Sequence, residues 1–200
     1  MQNNIIPYGK QSLSEDDIQA VIDVLKSDYW TQGPIIQEFE HNFAKYVGSK
    51  YAVAVSNGTA ALHLSALALG LNPGDQVITT PITFVASANC VRYCGAEVIF
   101  ADIDRETYLI DLESVRKLLI ADKNKRIKGI IPVDFAGRAV DLEAFRELAD
   151  EFCLWIIEDA CHSPGGSFYD SKKNIHKSGN GYFSDFSIFS FRSSNNGTTP

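Results

Sequence analysis

The stretch GIIPVDFAGRAVDLEAFRELADEFCLWIIEDA, residues 129 to 160, decides the fold. GIIPVDF reads as a strand, residues 141 to 152 carry a helical pattern, and LWIIEDA reads as a second strand ending on two carboxylates. Two strands joined by one helix fit a parallel pair with a helical crossover. Ligands of such sheets sit beyond the strand C-termini.

The alternation extends in the N-terminal direction. Asp111 is placed to cap a helix carrying Leu112, Val115, Leu118 and Leu119, and EVIFADI (97 to 103) precedes it as a strand. VITT, a helical segment around 84 to 94, and the turn Leu71-Asn72-Pro73-Gly74-Asp75 come earlier. YAVAV (51 to 55) reads as a short buried strand that runs through Ser56-Asn57-Gly58 into the helical stretch TAALHLSALALG. Ser14 caps a first helix with an apolar stripe of Ile18, Val21, Ile22 and Leu25, and Gly33-Pro34 starts a second. The polar run 170 to 181 reads as a loop or hairpin. These elements predict an α/β fold around a mainly parallel sheet.

Composition narrows the classes. The 200 residues are 45% hydrophobic and 22% charged, with 7 prolines and 14 glycines, which fits a globular domain or a fragment of a larger one. Eighteen Lys+Arg against 25 Asp+Glu give a formal charge of −7. That argues against nucleic acid as a partner but leaves room for a small pocket holding one phosphorylated ligand. The apolar stretches are too short to cross a membrane, and the start lacks the basic and apolar segments of a secretory signal. The four cysteines and 4 scattered histidines fit neither a disulfide scaffold nor a metal site. A reduced, cytoplasmic protein is the expectation.

Four places carry candidate chemistry. SNGTAA (56 to 61) lies where a strand hands over to a helix, a junction that aims amides at an anion or merely forms a capped Asn-Gly turn. Asp159, at the end of a strand, can fix a protonated heterocyclic nitrogen, bind a metal or cap the next turn. Strand alternation sends Glu158 to the other face. His162 either positions Asp159, touches ligand or serves structure, and Phe84 either stacks on a planar ring or belongs to the core.

Read together, SNGTAAL (56 to 62), TTPITFVASAN (79 to 89), VDFAGRAVD (133 to 141), EDACHSPG (158 to 165) and FSDFSIFSF (183 to 191) resemble the DegT/DnrJ/EryC1/StrS sugar aminotransferases. IPYGKQSLSEDD (6 to 17) and YWTQGPIIQEFE (29 to 40) fit the same family. The resemblance implies the three-layer large domain of the fold-type I pyridoxal-phosphate transferases, incomplete at its C-terminus. SANCVRYCGAEVIFADID (87 to 104) most resembles the subgroup acting in pseudaminic acid synthesis. That implies amino transfer from glutamate to the 4-keto group of a UDP-linked 4,6-dideoxy-N-acetylhexosamine, by a homodimer with no membrane partner. Thr31 to Gly33 would contribute substrate contacts.

Carried over by motif, Thr59 and Ala60 begin the site for the phosphate of pyridoxal 5′-phosphate, and Ser190 donates to it. Phe84 stacks on the pyridine ring, with Cys161 near the opposite face. Asp159 pairs with the ring nitrogen, and His162 lies beside it. The pattern then departs. The family's Schiff-base lysine, five places after the phosphate serine, is Asn195 here, within FRSSNNGTTP. Asparagine has no nucleophilic amine, so neither covalent attachment nor a catalytic residue is expected at that position. The expectation is a partial large domain over 1–191 and a divergent tail over 192–200, with no small C-terminal domain, in a chain truncated or shifted in frame after 191. A lysine-free nucleotide-sugar dehydratase and a non-catalytic cofactor- or nucleotide-sugar-binding remnant are the alternatives.

Overall fold

A computed structural model describes residues 12–191. Its elements, in chain order, begin with α1 (Glu15–Lys26), α2 (Pro34–Val47), α3 (Gly58–Ala68), β1 (Gln76–Thr79), α4 (Ala86–Tyr93) and β2 (Glu97–Phe100). There follow α5 (Leu112–Ala121), β3 (Ile127–Ile131), α6 (Leu142–Phe152), β4 (Trp155–Asp159), β5 (Ser167–Tyr169), β6 (Ile175–Lys177) and β7 (Phe186–Ile188). The opening IPYGKQ and the tail containing Asn195 lie outside the described residues.

The sheet follows from the crossovers. Five strands run parallel in the order β2-β1-β3-β4-β7. Successive side chains point to opposite faces, and the inner strands β1, β3 and β4 bury apolar side chains on both, as a sheet covered on two sides requires. Ile78, Ile130 and Ile156 face one side, where Val115 and Leu119 of α5 and Phe145 and Leu148 of α6 cover them. Val77, Ile131 and Ile157 face the other, under Leu62 and Ala66 of α3 and Cys90 and Val91 of α4. The result is three layers, helix on sheet on helix.

Local chemistry sets the helix starts. Ser14 and Asp17 form a reciprocal capping box at α1, Gly33-Pro34 opens α2, and Asp111 accepts from the amides of Glu113 and Ser114 at α5. At α6 the cap is Asp141, bonded to the Ala144 amide. The polar run becomes an antiparallel hairpin, β5 with β6.

One expectation needs correction. YAVAV is not a strand in the described structure: Tyr51 and Val53 are 74% and 78% exposed. Its apolar content favours a strand, but a ladder also needs a partner edge. The hydrogen bond found there instead runs from the Ala54 amide to the Glu40 carboxylate, at 2.8 Å. The stripe of α1 forms as a helix face yet buries nothing; Ile18, Val21 and Leu25 all remain exposed. Among the described residues no helix is long and apolar enough to cross a membrane.

One glycine tests the sheet directly. Gly129 of β3 lies in register with Trp155 of β4, and a Cβ there would stand 2.1 Å from the indole. Overpacking of this kind costs about 1–3 kcal/mol. We expect Gly129→Ala to lower unfolding stability by at least that much in urea titration. An unchanged midpoint would contradict the strand register.

Candidate cofactor site

A pocket opens beyond the C-termini of β3 and β4 and takes its walls from five separate stretches of sequence. Asn57, Gly58 and Thr59 come from the start of α3, Thr83, Phe84 and Ala86 from the entry to α4, and Val133 from the end of the β3 segment. Asp159, Cys161 and His162 follow from β4, and Ser190 lies just past β7. The sheet explains the convergence, because parallel strands deliver all their C-terminal ends to one edge.

Asp159 is the buried acid of this pocket. Its carboxylate takes a hydrogen bond from the Ser87 hydroxyl at 2.7 Å on Oδ2 and one from the Cys161 amide at 3.3 Å on Oδ1. His162 lines the same pocket, with its ring 6.1 Å from that of Phe135. Phe84 is 60% exposed and stands at the pocket wall rather than in the core.

The start of α3 brings backbone donors to the same pocket. Asn57 caps α3, its side chain accepting from the Ala60 amide at 2.8 Å, so the helix begins with the amides of Gly58 and Thr59. Ala60 is therefore held by its own cap and does not line the pocket, whereas Thr59 does. Gly58 sits close to its neighbours: a Cβ would lie 3.2 Å from Ser190 Cβ, a tight contact, and 3.5 Å from Cys161 Sγ. This close approach sets the helix end, the Ser190 hydroxyl and the Cys161 thiol around one space. Burial pushes the Cys161 thiol well above its ordinary range, so it is a neutral wall and not a thiolate.

Thr59, Phe84, Asp159, Cys161, His162 and Ser190 are thus brought together. Ser87, Thr83 and Asp134 carry no role in the motif reading, although all three fall within the motifs quoted above. Their roles rest on contacts across long separations, 72 residues for Ser87 with Asp159, which local patterns do not carry. No group of three or more metal-ligating side chains occurs among the described residues.

Comparison with known proteins bears on this geometry. The DegT/DnrJ/EryC1/StrS aminotransferase family model matches residues 11–199. The UDP-4-amino-4-deoxy-L-arabinose–oxoglutarate aminotransferase of Shewanella sediminis is 38% identical over 165 residues, which is 82% of this chain and 42% of that protein. Among solved structures, Helicobacter pylori PseC, an aminotransferase involved in the biosynthesis of pseudoaminic acid, superposes with TM-score 0.80 at 32% identity. The match covers 94% of this chain and 48% of that one. The putative sugar aminotransferase Spr1654 of Streptococcus pneumoniae, in its PLP form, gives TM-score 0.81 at 29% identity, over 95% of this chain and 50% of the other. The chain spans about half the length of the relatives it matches.

Behind the pocket, on the other face of β4, lies a second acidic group. Glu158 accepts from Ser187 Oγ at 2.6 Å and from the Gly179 amide at 3.1 Å. Asp134 accepts from the hydroxyls of Ser163 and Ser178 and from the Val140 amide. Burial, with the Asp134 charge adding to it, pushes Glu158 up to about 8; burial pushes Asp134 up to about 6, against the hydrogen bonds it accepts. A carboxyl raised in the folded state binds its proton more tightly there than in the unfolded chain. Its stabilising contribution is therefore complete below the unfolded value and is lost as pH rises through the folded one. We expect stability to fall between about pH 4.5 and 8, and Glu158→Gln to flatten that fall in denaturant titrations across the range. An equally steep profile in the variant would contradict the assignment.

Proposed function

From the premise that the chain belongs to the DegT/DnrJ/EryC1/StrS aminotransferase family, we propose that its site serves pyridoxal-phosphate-dependent amino transfer to a nucleotide-linked keto sugar. The observation that carries this reading is one pocket lined both by the buried carboxylate of Asp159 and by the start of α3 with Ser190. A carboxylate fits a protonated ring nitrogen, and helix amides with a hydroxyl fit a phosphate. The Gly58 cradle supports the same fit, since a side chain there would fill the space between Ser190 and Cys161.

In this reading Asp159 would pair with the ring nitrogen of the cofactor, and Phe84 and Cys161 would hold its ring between them. Thr59 and Ser190 hold the phosphate, and His162 borders the site beside Asp159. When bound, pyridoxal phosphate supplies an electron sink for chemistry at the carbon bearing the amino group. The chain carries a formal charge of −7, so phosphate recognition rests on local donors rather than on the overall field.

The substrate we propose is a UDP-linked 4-keto-4,6-dideoxy-N-acetylhexosamine, with glutamate as amino donor and a homodimer as the working form, in pseudaminic acid synthesis. The fold likeness to the pseudoaminic acid enzyme of H. pylori supports that choice, as does the segment 87 to 104. Asn195, in the position of the family lysine, lies outside the described residues. It favours a second reading for the 200-residue chain, in which the cofactor is held without a covalent link and without turnover.

Binding of pyridoxamine 5′-phosphate, followed by calorimetry, tests the site. We expect one saturable site per chain, weakened about tenfold or more by Asp159→Ala through loss of a charge-assisted hydrogen bond. Binding of equal strength in both proteins, or none in the wild type, would overturn the reading. Borohydride reduction in the presence of pyridoxal phosphate should leave no stoichiometric pyridoxyl-lysine if the second reading holds.

A further inference from the structure

Two hydroxyls join the pocket wall to the back of Asp159. Ser87, on the first turn of α4, is fully buried, and its Oγ lies 2.7 Å from Asp159 Oδ2 and 2.8 Å from Thr83 Oγ1. A weaker contact of 3.2 Å links Ser87 Oγ with the Phe84 carbonyl. Thr83 itself lines the pocket beside Phe84.

Proton counting fixes the direction of this chain. A serine hydroxyl has one proton to donate, and an ionised carboxylate only accepts. The short contact to a charged oxygen outcompetes the longer one to a carbonyl, so Ser87 donates to Asp159. Ser87 then has only lone pairs left for Thr83, which must donate to it. Thr83 in turn faces the pocket with acceptor capacity alone. Together with the Cys161 amide on Oδ1, the relay gives each carboxylate oxygen a donor from the protein and fixes the plane of the group. Donors on the charged form also favour that form.

We propose that Ser87 and Thr83 are positioning residues that orient the Asp159 carboxylate toward the ring nitrogen of a bound pyridine cofactor. The inference rests on the cofactor reading above and deepens it. Neither residue has to touch the ring nitrogen; both act through Asp159.

The test uses pyridoxamine 5′-phosphate and its 1-deaza analogue, in which a carbon replaces the ring nitrogen. We expect Ser87→Ala to weaken binding of pyridoxamine phosphate about tenfold and to leave binding of the deaza analogue unchanged. Thr83→Val should do the same to a smaller degree, and its pocket-facing position makes it the variant that keeps its fold if the buried serine substitution does not. The 15N resonance of the bound ring nitrogen should report protonation in the wild type and a shift toward the unprotonated position in Ser87→Ala. Thr83→Ser, which keeps the hydroxyl, should bind as the wild type does. Equal weakening toward both ligands would assign Ser87 a merely structural role and overturn the proposal. So would wild-type affinity in both Ser87→Ala and Thr83→Val, while Asp159→Ala still loses binding; in that case the cofactor reading stands and only the relay falls. No saturable binding by the wild type would overturn both.

Discussion

The period-two alternation at the end of β4 governs this molecule. Ile156 and Ile157 are fully buried on opposite faces of the sheet, and Glu158 and Asp159 continue the same alternation beyond them. A slip of one residue would exchange the two carboxylates. Asp159 would leave Ser87 and the pocket, and Glu158 would leave Ser187 and the Gly179 amide. The apolar pair that anchors the strand therefore also decides which acid meets ligand. Packing, register and chemistry rest on one contact between strand and helices.

The two acids illustrate how environment divides similar groups. Glu158 is buried with the Asp134 charge nearby and keeps its proton into the neutral range. Asp159 lines an open pocket and receives donors on both oxygens. The first suits a structural hydrogen-bonding role between β4, β7 and the loop at Gly179, and the second suits a charge that faces ligand. Among the described residues the pocket lining includes no lysine or arginine, so recognition of an anion there falls to the amides at the start of α3 and to neutral polar side chains.

Much of the fold was legible because its signals are local. Capping residues Ser14, Asn57, Asp111 and Asp141 stand at helix starts, and apolar runs mark β1, β3 and β4. YAVAV failed as a strand because apolar content measures fitness for a ladder and not the presence of a neighbour. The stripe of α1 was read correctly as helical, but amphipathicity does not say whether the face is covered. At the pocket, motif matching named residues that lie along the wall, while Ser87 and Thr83 stayed silent. Small hydroxyl residues in a helix entry are common, and only the fold brings Asp159 within reach of them. Ala60 marks the converse case, where the motif names a residue whose amide the structure commits to the Asn57 cap.

One pocket is lined by the buried carboxylate of Asp159 and by the start of α3, and this pairing dictates how the cofactor would lie. A crystal structure of the chain with pyridoxamine 5′-phosphate tests it most directly. The account predicts the ring nitrogen within hydrogen-bond distance of Asp159, the ring against Phe84, and the phosphate on the amides of Gly58 and Thr59 and the hydroxyl of Ser190. A ligand bound in the reverse orientation, or bound away from Asp159, would contradict it.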